Sequence, residues 1–425
     1  MTARIPPSFF PDMENPPPTP ARPRSLAGMI YDVLSGFGLA TILLLLLGLL
    51  TWFATLEQID HGLYPTLNKY FHWKSLFLLP ELKFGEGAKE KWVTIPLPLP
   101  GGYWVSALLL LNMTLGGVIR IRKGWKHVGN LISHFGIIFL LIGGGVAHHY
   151  SERGNMAVSE GQTSDVAEDY FEYVVEVAEI KDGKATNIHV IRGNQIDDLT
   201  EGGSRIFRLP DLPFDLEVAG YQVHGMPIAV NERAPRLGER VLDGYFLEEM
   251  PPNKSAESNT AGCYARILKR EKSDPVPFIL AGASFHPFTH REGERVFTVD
   301  MRKRLWPMPF SVRLDHFTAE FHPGTMKPSK FVSKITRTEN GVEAKQTIQM
   351  NEPMRYEGLT FFQASYGPQG AMPGQKMFSV FEVVKNPADK WPEYSLYIVS
   401  IGMLITFLIK LSTFILASTR KKRHV

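Results

Sequence analysis

The sequence predicts a membrane protein with four transmembrane α-helices and a large external all-β domain between the third and fourth helices. Four apolar segments, at 33–55, 103–119, 129–147 and 395–417, have about the 20-residue length that a helix needs to cross a bilayer. Between 155 and 390, hydrophobic residues alternate with polar ones, and no amphipathic helix of convincing length is present. We expect antiparallel sheets packed as a sandwich or an irregular barrel.

The first part of the chain predicts a tail followed by an anchor. Segment 1–32 is rich in proline and poor in periodic apolar positions, which predicts a disordered tail. We expect the helix at 33–55 to be retained rather than cleaved, because the apolar region begins late and no small-residue cleavage site precedes Glu57. Segment 56–102 is then a loop, and the second helix begins at Tyr103 and Trp104, aromatic residues suited to a membrane interface.

Basic residues predict the orientation of the helices, since those near helix ends stay in the cytoplasm. They cluster in the loop 120–128 and in the tail 418–425: Arg120, Arg122, Lys123 and Lys126, then Arg420, Lys421, Lys422 and Arg423. Both segments are therefore expected inside. Four crossings place the N-terminus inside as well, with the loop 56–102 and the domain 148–394 outside.

Turn residues predict how strands connect in the external domain. A Lys-Asp-Gly-Lys turn at 181–184 follows an alternating strand pattern. A Glu-Asn-Gly turn at 339–341 predicts a hairpin between 330–338 and 342–350. The segment 235–261, with its Pro-Pro pair and its run of small polar residues, predicts a long surface loop.

Composition excludes several classes of function. The formal charge of +3 combines +8 from the two basic clusters with −5 from the rest of the chain. The positive charge serves topology and anionic lipid, so nucleic acid is not an expected partner. Cys263 is the single cysteine, which excludes an internal disulfide, a C-x-x-C redox motif, a thiolate metal cluster and a c-type cytochrome. The sequence shows neither a nucleophile elbow nor a nucleotide-binding loop, so a stand-alone enzyme is not expected.

His134 lies inside the third apolar segment and is the first candidate for chemistry. Ionisable residues within membrane helices are rare and usually mark a site. The structural alternative is a hydrogen bond to a neighbouring helix, with Asn112 as a candidate partner. His134 shares a helix face with Asn130, Ile138 and Leu141.

Other histidines are weaker candidates. His148 and His149 lie at the outer end of the third helix, and His72 lies in the loop 56–102 beside Trp73. In the external domain, the histidines show spacings that are weak indicators of a metal, and we assign no metal site there; they are His286, His290, His316 and His322.

Two motifs carry a family resemblance. They are "HVGNLISHFGIIFLLIGGGVAHHYSERGNMAVSEGQ" at 127–162 and "IQMNEPMRYEGLTFFQASYGPQ" at 348–369. With the order of elements from about 33 to 417, they resemble the ResB (or CcsB) family, the membrane subunit of the System II cytochrome c maturation machinery. The proline-rich tail and the long segment 84–104 depart from the family pattern.

The resemblance implies haem handling in the bacterial cytoplasmic membrane. ResB-like proteins pair with a CcsA-type partner that carries a tryptophan-rich haem-binding segment, a cluster this chain lacks. Together they move haem outward and attach it to apocytochrome c. His134 matches a proposed axial ligand of haem b, and His148, His149 and His72 would assist at the exit. No catalytic residue is implied in this chain, which would be a non-catalytic or co-catalytic subunit.

Two alternatives and one motif remain open on the sequence. The chain could serve only as an external apocytochrome c chaperone without haem contacts, in which case His134 would tolerate replacement. A receptor with an all-β ligand domain is disfavoured, since no signalling module follows inside. The motif 351–367 either packs the domain onto the helices or presents apocytochrome, and its aromatic residues favour packing.

Overall fold

A computed structural model of the chain describes residues 25–85, 91–200, 202–236, 238–269, 274–284, 286–325, 327–368 and 375–422, excluding the side chains at 328 and 420–422. Most of the predicted disordered tail, residues 86–90 of the loop 56–102 and the end of the basic tail, including Arg423, lie outside these residues.

Within the described ranges, four helices are long and apolar enough to cross a membrane, as predicted. The spans are Phe37–His61, Gly102–Ile119, Trp125–Tyr150 and Trp391–Thr419. They correspond to α2 (Phe37–His61), α4 (Gly102–Asn112, continued by a π-helical segment Met113–Ile119), α5 (Val128–Tyr150, preceded by a 3-10 turn Trp125–His127) and α6 (Trp391–Lys422). The spans of α5 and α6 extend beyond both predicted ends, because polar residues continue the helices past the apolar segments. The span of α2 runs six residues past its predicted end but begins at Phe37, four residues later than predicted, after the break that follows Leu34.

The end of the predicted disordered tail is instead a helix, α1 (Leu26–Leu34). Ser25 caps it, with its hydroxyl oxygen accepting from the Gly28 amide at 3.2 Å. The break between α1 and α2 is held by Asn112 of α4, whose Nδ2 donates to the carbonyls of Leu34 at 2.7 Å and Gly36 at 3.0 Å. This long-range support cannot be read from local composition, which is why the prediction of disorder was wrong for residues 26–32.

The segment predicted as the loop 56–102 carries structure of its own. It contains α3 (Leu63–Phe71) and two small antiparallel pairs, β1 (Phe77–Leu78) with β4 (Leu99–Pro100) and β2 (Glu81–Phe84) with β3 (Lys91–Thr94). Strands of two to four residues are too short to give a clear alternation in the sequence. The loop prediction was therefore incomplete.

Between α5 and α6 the chain forms the β domain, whose paired strands are antiparallel. Its strands are β5 (Glu152–Ser159), β6 (Thr163–Lys181), β7 (Lys184–Ile191), β8 (Ser204–Phe207), β9 (Phe214–Gln222), β10 (Gly225–Ala229), β11 (Tyr245–Glu249), β12 (Gly262–Lys269), β13 (Val276–Ala281), β14 (Phe288–Glu292), β15 (Arg295–Phe321), β16 (Pro328–Glu339), β17 (Val342–Gln349), β18 (Met354–Tyr356), β19 (Leu359–Gly367) and β20 (Phe378–Lys385).

The strands form two main sheets and one separate hairpin. A ten-stranded sheet has the order β17-β16-β15-β6-β5-β20-β19-β18, with β14 and β7 paired beside this path. A four-stranded sheet has the order β13-β12-β9-β8, and β10 pairs with β11. The two ends of the large sheet approach each other, since β17 lies against β18 and β19 and a bridge joins Gln349 to Glu352. The sheet therefore curls into an irregular barrel, one of the two predicted forms.

Both predicted turns are confirmed, and the predicted loop 235–261 is corrected. Glu339 pairs with Val342 across Asn340 and Gly341, and Lys181 pairs with Lys184; the residues between each pair have positive φ angles. The segment 235–261 contains β11 and a 3-10 turn at Ala256–Ser258. Its flanking prolines and polar residues hid a five-residue strand.

The β domain has two hydrophobic cores. One lies between the four-stranded sheet and part of the large sheet and includes Phe214 and Phe297; the other lies inside the curled sheet and includes Phe310 and Phe381. Met354, Leu359 and Phe361 of the motif 351–367 belong to the second core. The packing interpretation of this motif therefore has direct support.

The β domain contacts the membrane helices at the corner between α2 and α3. Gly62, with φ 85°, forms this corner, and a Cβ atom there would overlap the Lys254 carbonyl. The Lys254 Nζ donates to the Ile59 carbonyl at 3.1 Å, and the rings of Tyr64 and Phe171 pack edge-on with centroids 4.7 Å apart. The corner therefore fixes the domain relative to α2.

We predict that Gly62→Ala loosens this contact, because it adds a backbone clash to the strain of a positive φ. Gly161→Ala is a matched control, since Gly161 has φ 81° and open space around the Cβ position. Each should lose about 1–2 kcal/mol for its backbone conformation, and Gly62→Ala should lose more. Thermal unfolding and proteolysis at 245–260 measure the difference. Equal effects in the two variants would contradict a contact that depends on close approach.

Candidate functional site around His134

The packing of α5 on α6 determines where His134 points. Gly129, Gly136 and Gly143, spaced seven residues apart, abut α6. A Cβ at Gly136 would lie 2.7 Å from the Val399 side chain, so the two backbones approach closely. Position 134 is rotated about 160° from position 136 at 100° per residue, so His134 points away from α6 and towards α4.

The imidazole of His134 is hydrogen-bonded to the backbone of α4. Its Nδ1 lies 3.0 Å from the carbonyl oxygen of Gly117. A carbonyl oxygen only accepts, so Nδ1 carries the proton and donates. In the neutral ring the free lone pair is therefore on Nε2. The predicted alternative of a bond to a neighbouring helix holds for Gly117 but is wrong for Asn112, which binds Leu34 and Gly36 instead.

Gly117 lies in the π-helical segment Met113–Ile119 of α4. The Arg120 amide donates to the Leu115 carbonyl at 2.9 Å, a bond between residues five apart. π-Helical turns of this kind occur often at functional sites. A Cβ at Gly117 would lie 3.1 Å from ring atoms of His134, so a side chain there would press on the imidazole.

The outer end of α5 gathers the three weaker histidine candidates. The ring centroids of His72 and His148 are 5.6 Å apart, and those of His148 and His149 are 5.0 Å apart. The Tyr103 hydroxyl lies 3.0 Å from His149 Nε2, and the Lys74 amide donates to His72 Nδ1 at 3.2 Å. The sequence indicated each histidine separately, whereas the fold of segment 56–102 brings them together.

His72 is held mainly in its neutral form. Burial, followed by the charges of Lys74 and His149, lowers the pKa of His72 below its ordinary value. With the Lys74 amide on Nδ1, the proton of the neutral His72 ring lies on Nε2. The tautomer of His72 is therefore opposite to that of His134.

Glu57 is a buried charge that the sequence interpretation missed. Its carboxylate accepts from Lys69 Nζ at 2.6 Å and from the Tyr70 hydroxyl at 2.8 Å. Both partners lie on α3, so Glu57 ties α3 to the end of α2. The sequence offered one signal for this buried carboxylate, which is an acidic residue directly after an apolar segment.

The histidines of the β domain have local partners where the structure shows them. His290 Nε2 lies 3.0 Å from Glu292 Oε2, and His316 Nδ1 lies 2.9 Å from Glu160 Oε1. Among the described residues, no group of three His, Cys, Asp or Glu side chains is placed to hold a metal ion. These contacts are those of ordinary structural histidines.

Comparison with known proteins shows a similarity to one family. Residues 120–188 and 279–373, about two fifths of the chain, match the ResB-like family. The first segment contains His134, and the second contains the whole motif 348–369. Over both segments, which carry the two motifs, the chain resembles this family.

The chain is also similar to Protein NrfI of Wolinella succinogenes. The two are 23% identical over 284 residues, which cover 62% of this chain and 26% of NrfI. The chain thus spans about a quarter of the length of that relative. The resemblance carried by the two motifs is confirmed.

We predict that Gly117→Leu destabilises the contact between α4 and α5, because the added side chain must displace the His134 ring. The loss should be about 1–3 kcal/mol, as for other overpacked sites. Gly144→Leu on α5 is the control, since nothing lies within 4 Å of the Cβ position there. Thermal unfolding in detergent compares the two variants. A loss of similar size for Gly144→Leu would contradict close packing at Gly117.

Proposed function

We propose that this chain is the membrane subunit of a System II cytochrome c synthase, which receives haem within the bilayer on His134 and passes it outward for attachment to apocytochrome c. The ResB-like match and the similarity to NrfI support a role in cytochrome c biogenesis. Haem is the substrate in transit, and His134 is its proposed axial ligand. A CcsA-type protein is the proposed partner.

The hydrogen bond to Gly117 carries this proposal. Haem iron accepts an imidazole nitrogen that has a free lone pair. Ligating histidines almost always donate their other N–H to a carbonyl or carboxylate, which fixes the ring and raises its basicity. The Gly117 carbonyl supplies this partner at 3.0 Å, so Nε2 of His134 is prepared to bind a metal.

The surroundings of His134 suit a flat apolar macrocycle. Ile138 and Leu141 follow on the same face of α5. Gly145, three turns above His134 on that face, has nothing within 4 Å of its Cβ position.

His134 supplies one of the two axial ligands of haem iron. The neighbouring histidines of the same helix and its preceding turn, His148 and His127, lie fourteen and seven residues away, or about 21 and 10 Å along the axis. Neither reaches the same iron. A second imidazole from a helix of the CcsA-type partner would complete the site.

The proposed orientation follows from the basic residues of the loop 120–128 and the tail 418–425. In the bacterial cytoplasmic membrane, it places these segments and both termini on the cytoplasmic side. The β domain lies on the periplasmic side. His134 lies about two turns from the inner end of its span, which begins at Trp125. Haem would therefore enter from the inner leaflet.

A second candidate is an external apocytochrome c chaperone without haem contacts. The β domain has an open groove of about 1280 Å³, lined by residues that include Glu217, Tyr221, Arg240 and Tyr264. This is larger than a usual small-molecule pocket and has the mixed polarity that suits a polypeptide. In this case His134 would tolerate replacement.

The test compares wild type with His134→Ala in the detergent-purified complex with the CcsA-type partner. We predict loss of most bound haem, seen in the absorption spectrum and in extracted-haem quantification, with recovery on adding imidazole. Ser133→Ala is the control, since it removes only a 3.3 Å bond to the Val399 carbonyl on the α6 side. Unchanged haem content and unchanged cytochrome c maturation in His134→Ala would instead support the chaperone.

A further inference from the structure

We propose a second haem-binding site at the outer end of α5, in which His148 is the axial ligand and the rings of Tyr103 and His72 flank the macrocycle. The inference rests on the proposed function, because it takes haem to be the molecule that moves along α5. It assigns the exit position to one histidine of the three that meet there.

His148 lies on the same face of α5 as His134. Fourteen residues separate them, which corresponds to about 21 Å of rise and a rotation of about 40° from exact alignment. A ligand on His134 can therefore reach His148 by moving along the helix. His149, the residue after His148, is turned towards Tyr103, and its Nε2 lies 3.0 Å from the Tyr103 hydroxyl.

Hydrogen bonding distinguishes the three imidazoles. Nε2 of His149 is engaged by the Tyr103 hydroxyl, and Nδ1 of His72 accepts from the Lys74 amide, which places the proton of neutral His72 on Nε2. Within the described residues, the contacts of the His148 ring are those with the neighbouring rings. An exposed imidazole with such contacts offers its lone pair to an incoming metal without first breaking a hydrogen bond.

The donor set suits haem better than a bare metal ion. A structural metal ion needs about four protein donors, and no described group of three donors is placed to hold one. Haem iron brings four nitrogens of its own and needs only axial imidazole. The Tyr103 ring lies 5.5 Å from that of His148, and the His72 ring stands nearly edge-on to it at 5.6 Å. These rings provide an aromatic wall for a flat ligand.

The surface between the two histidines is apolar and partly open. It carries Ile138 and Leu141, which are both partly buried, followed by the open position at Gly145; Leu141 packs against the core between α2 and α4. Transfer breaks the bond from iron to His134 Nε2 and forms a bond from iron to a His148 nitrogen. Each imidazole donates a lone pair, so iron keeps its oxidation state and no proton is lost.

The test is a titration of ferric haem into the full chain in lipid nanodiscs, followed by absorption and by resonance Raman spectra. We expect two binding events in wild type. His134→Ala should lose one event, His148→Ala the other, and the double variant both, each loss being at least tenfold in affinity. His149→Ala is the matched control that should keep both events, and His148→Met should change the spectrum of the outer event alone.

The outcomes separate this inference from the proposed function. If His148→Ala keeps both events, or if His149→Ala loses the outer event equally, His148 is not the outer ligand, whatever His134→Ala does. If the inner event survives His134→Ala while the outer one is lost in His148→Ala, the proposed role of His134 fails and the outer site stands. If the double variant binds haem like wild type, haem is only adsorbed and both are overturned.

Discussion

The hydrogen bond between His134 Nδ1 and the Gly117 carbonyl is the interaction on which the site depends. It requires three features of the fold. A π-helical turn presents this carbonyl, and Gly117 leaves room for the ring. The close packing of Gly129, Gly136 and Gly143 against α6 turns His134 away from that helix. In a bilayer, polar groups must find partners within the protein. This bond satisfies the imidazole N–H and, at the same time, determines which ring nitrogen is left to bind a metal.

The membrane part and the β domain are joined more firmly than by their two chain connections. The corner at Gly62 receives the Lys254 backbone, and Glu57 holds α3 against α2. Near the start of α6, Arg355 Nε lies 2.7 Å from Asp389. The motif 351–367 thus contributes to the barrel core and to the junction with the last helix, which explains how a segment far from His134 in sequence can belong to the same structural unit.

Much of the architecture could be predicted from the sequence, because it follows from local rules. Apolar segments of sufficient length predicted the four spans, and turns such as Glu-Asn-Gly predicted hairpins. The helix α1 was missed because a distant contact, that of Asn112 with Leu34, stabilises it. The strand β11 was missed because prolines and polar residues flank it. His134 could be found because an ionisable residue is rare in a membrane helix. Gly117 could not, since a π-helical turn has no clear signature in one sequence, and the meeting of His72 with His148 depends on how segment 56–102 folds back.

The most direct test of the account is the tautomer of His134. Nitrogen-15 solid-state NMR of histidine-labelled protein in lipid bilayers, with the signal assigned by its absence in His134→Gln, reports which ring nitrogen is protonated. The structure predicts that the neutral ring carries its proton on Nδ1. A neutral ring with its proton on Nε2 instead would contradict the claim that Gly117 leaves His134 ready to bind haem iron.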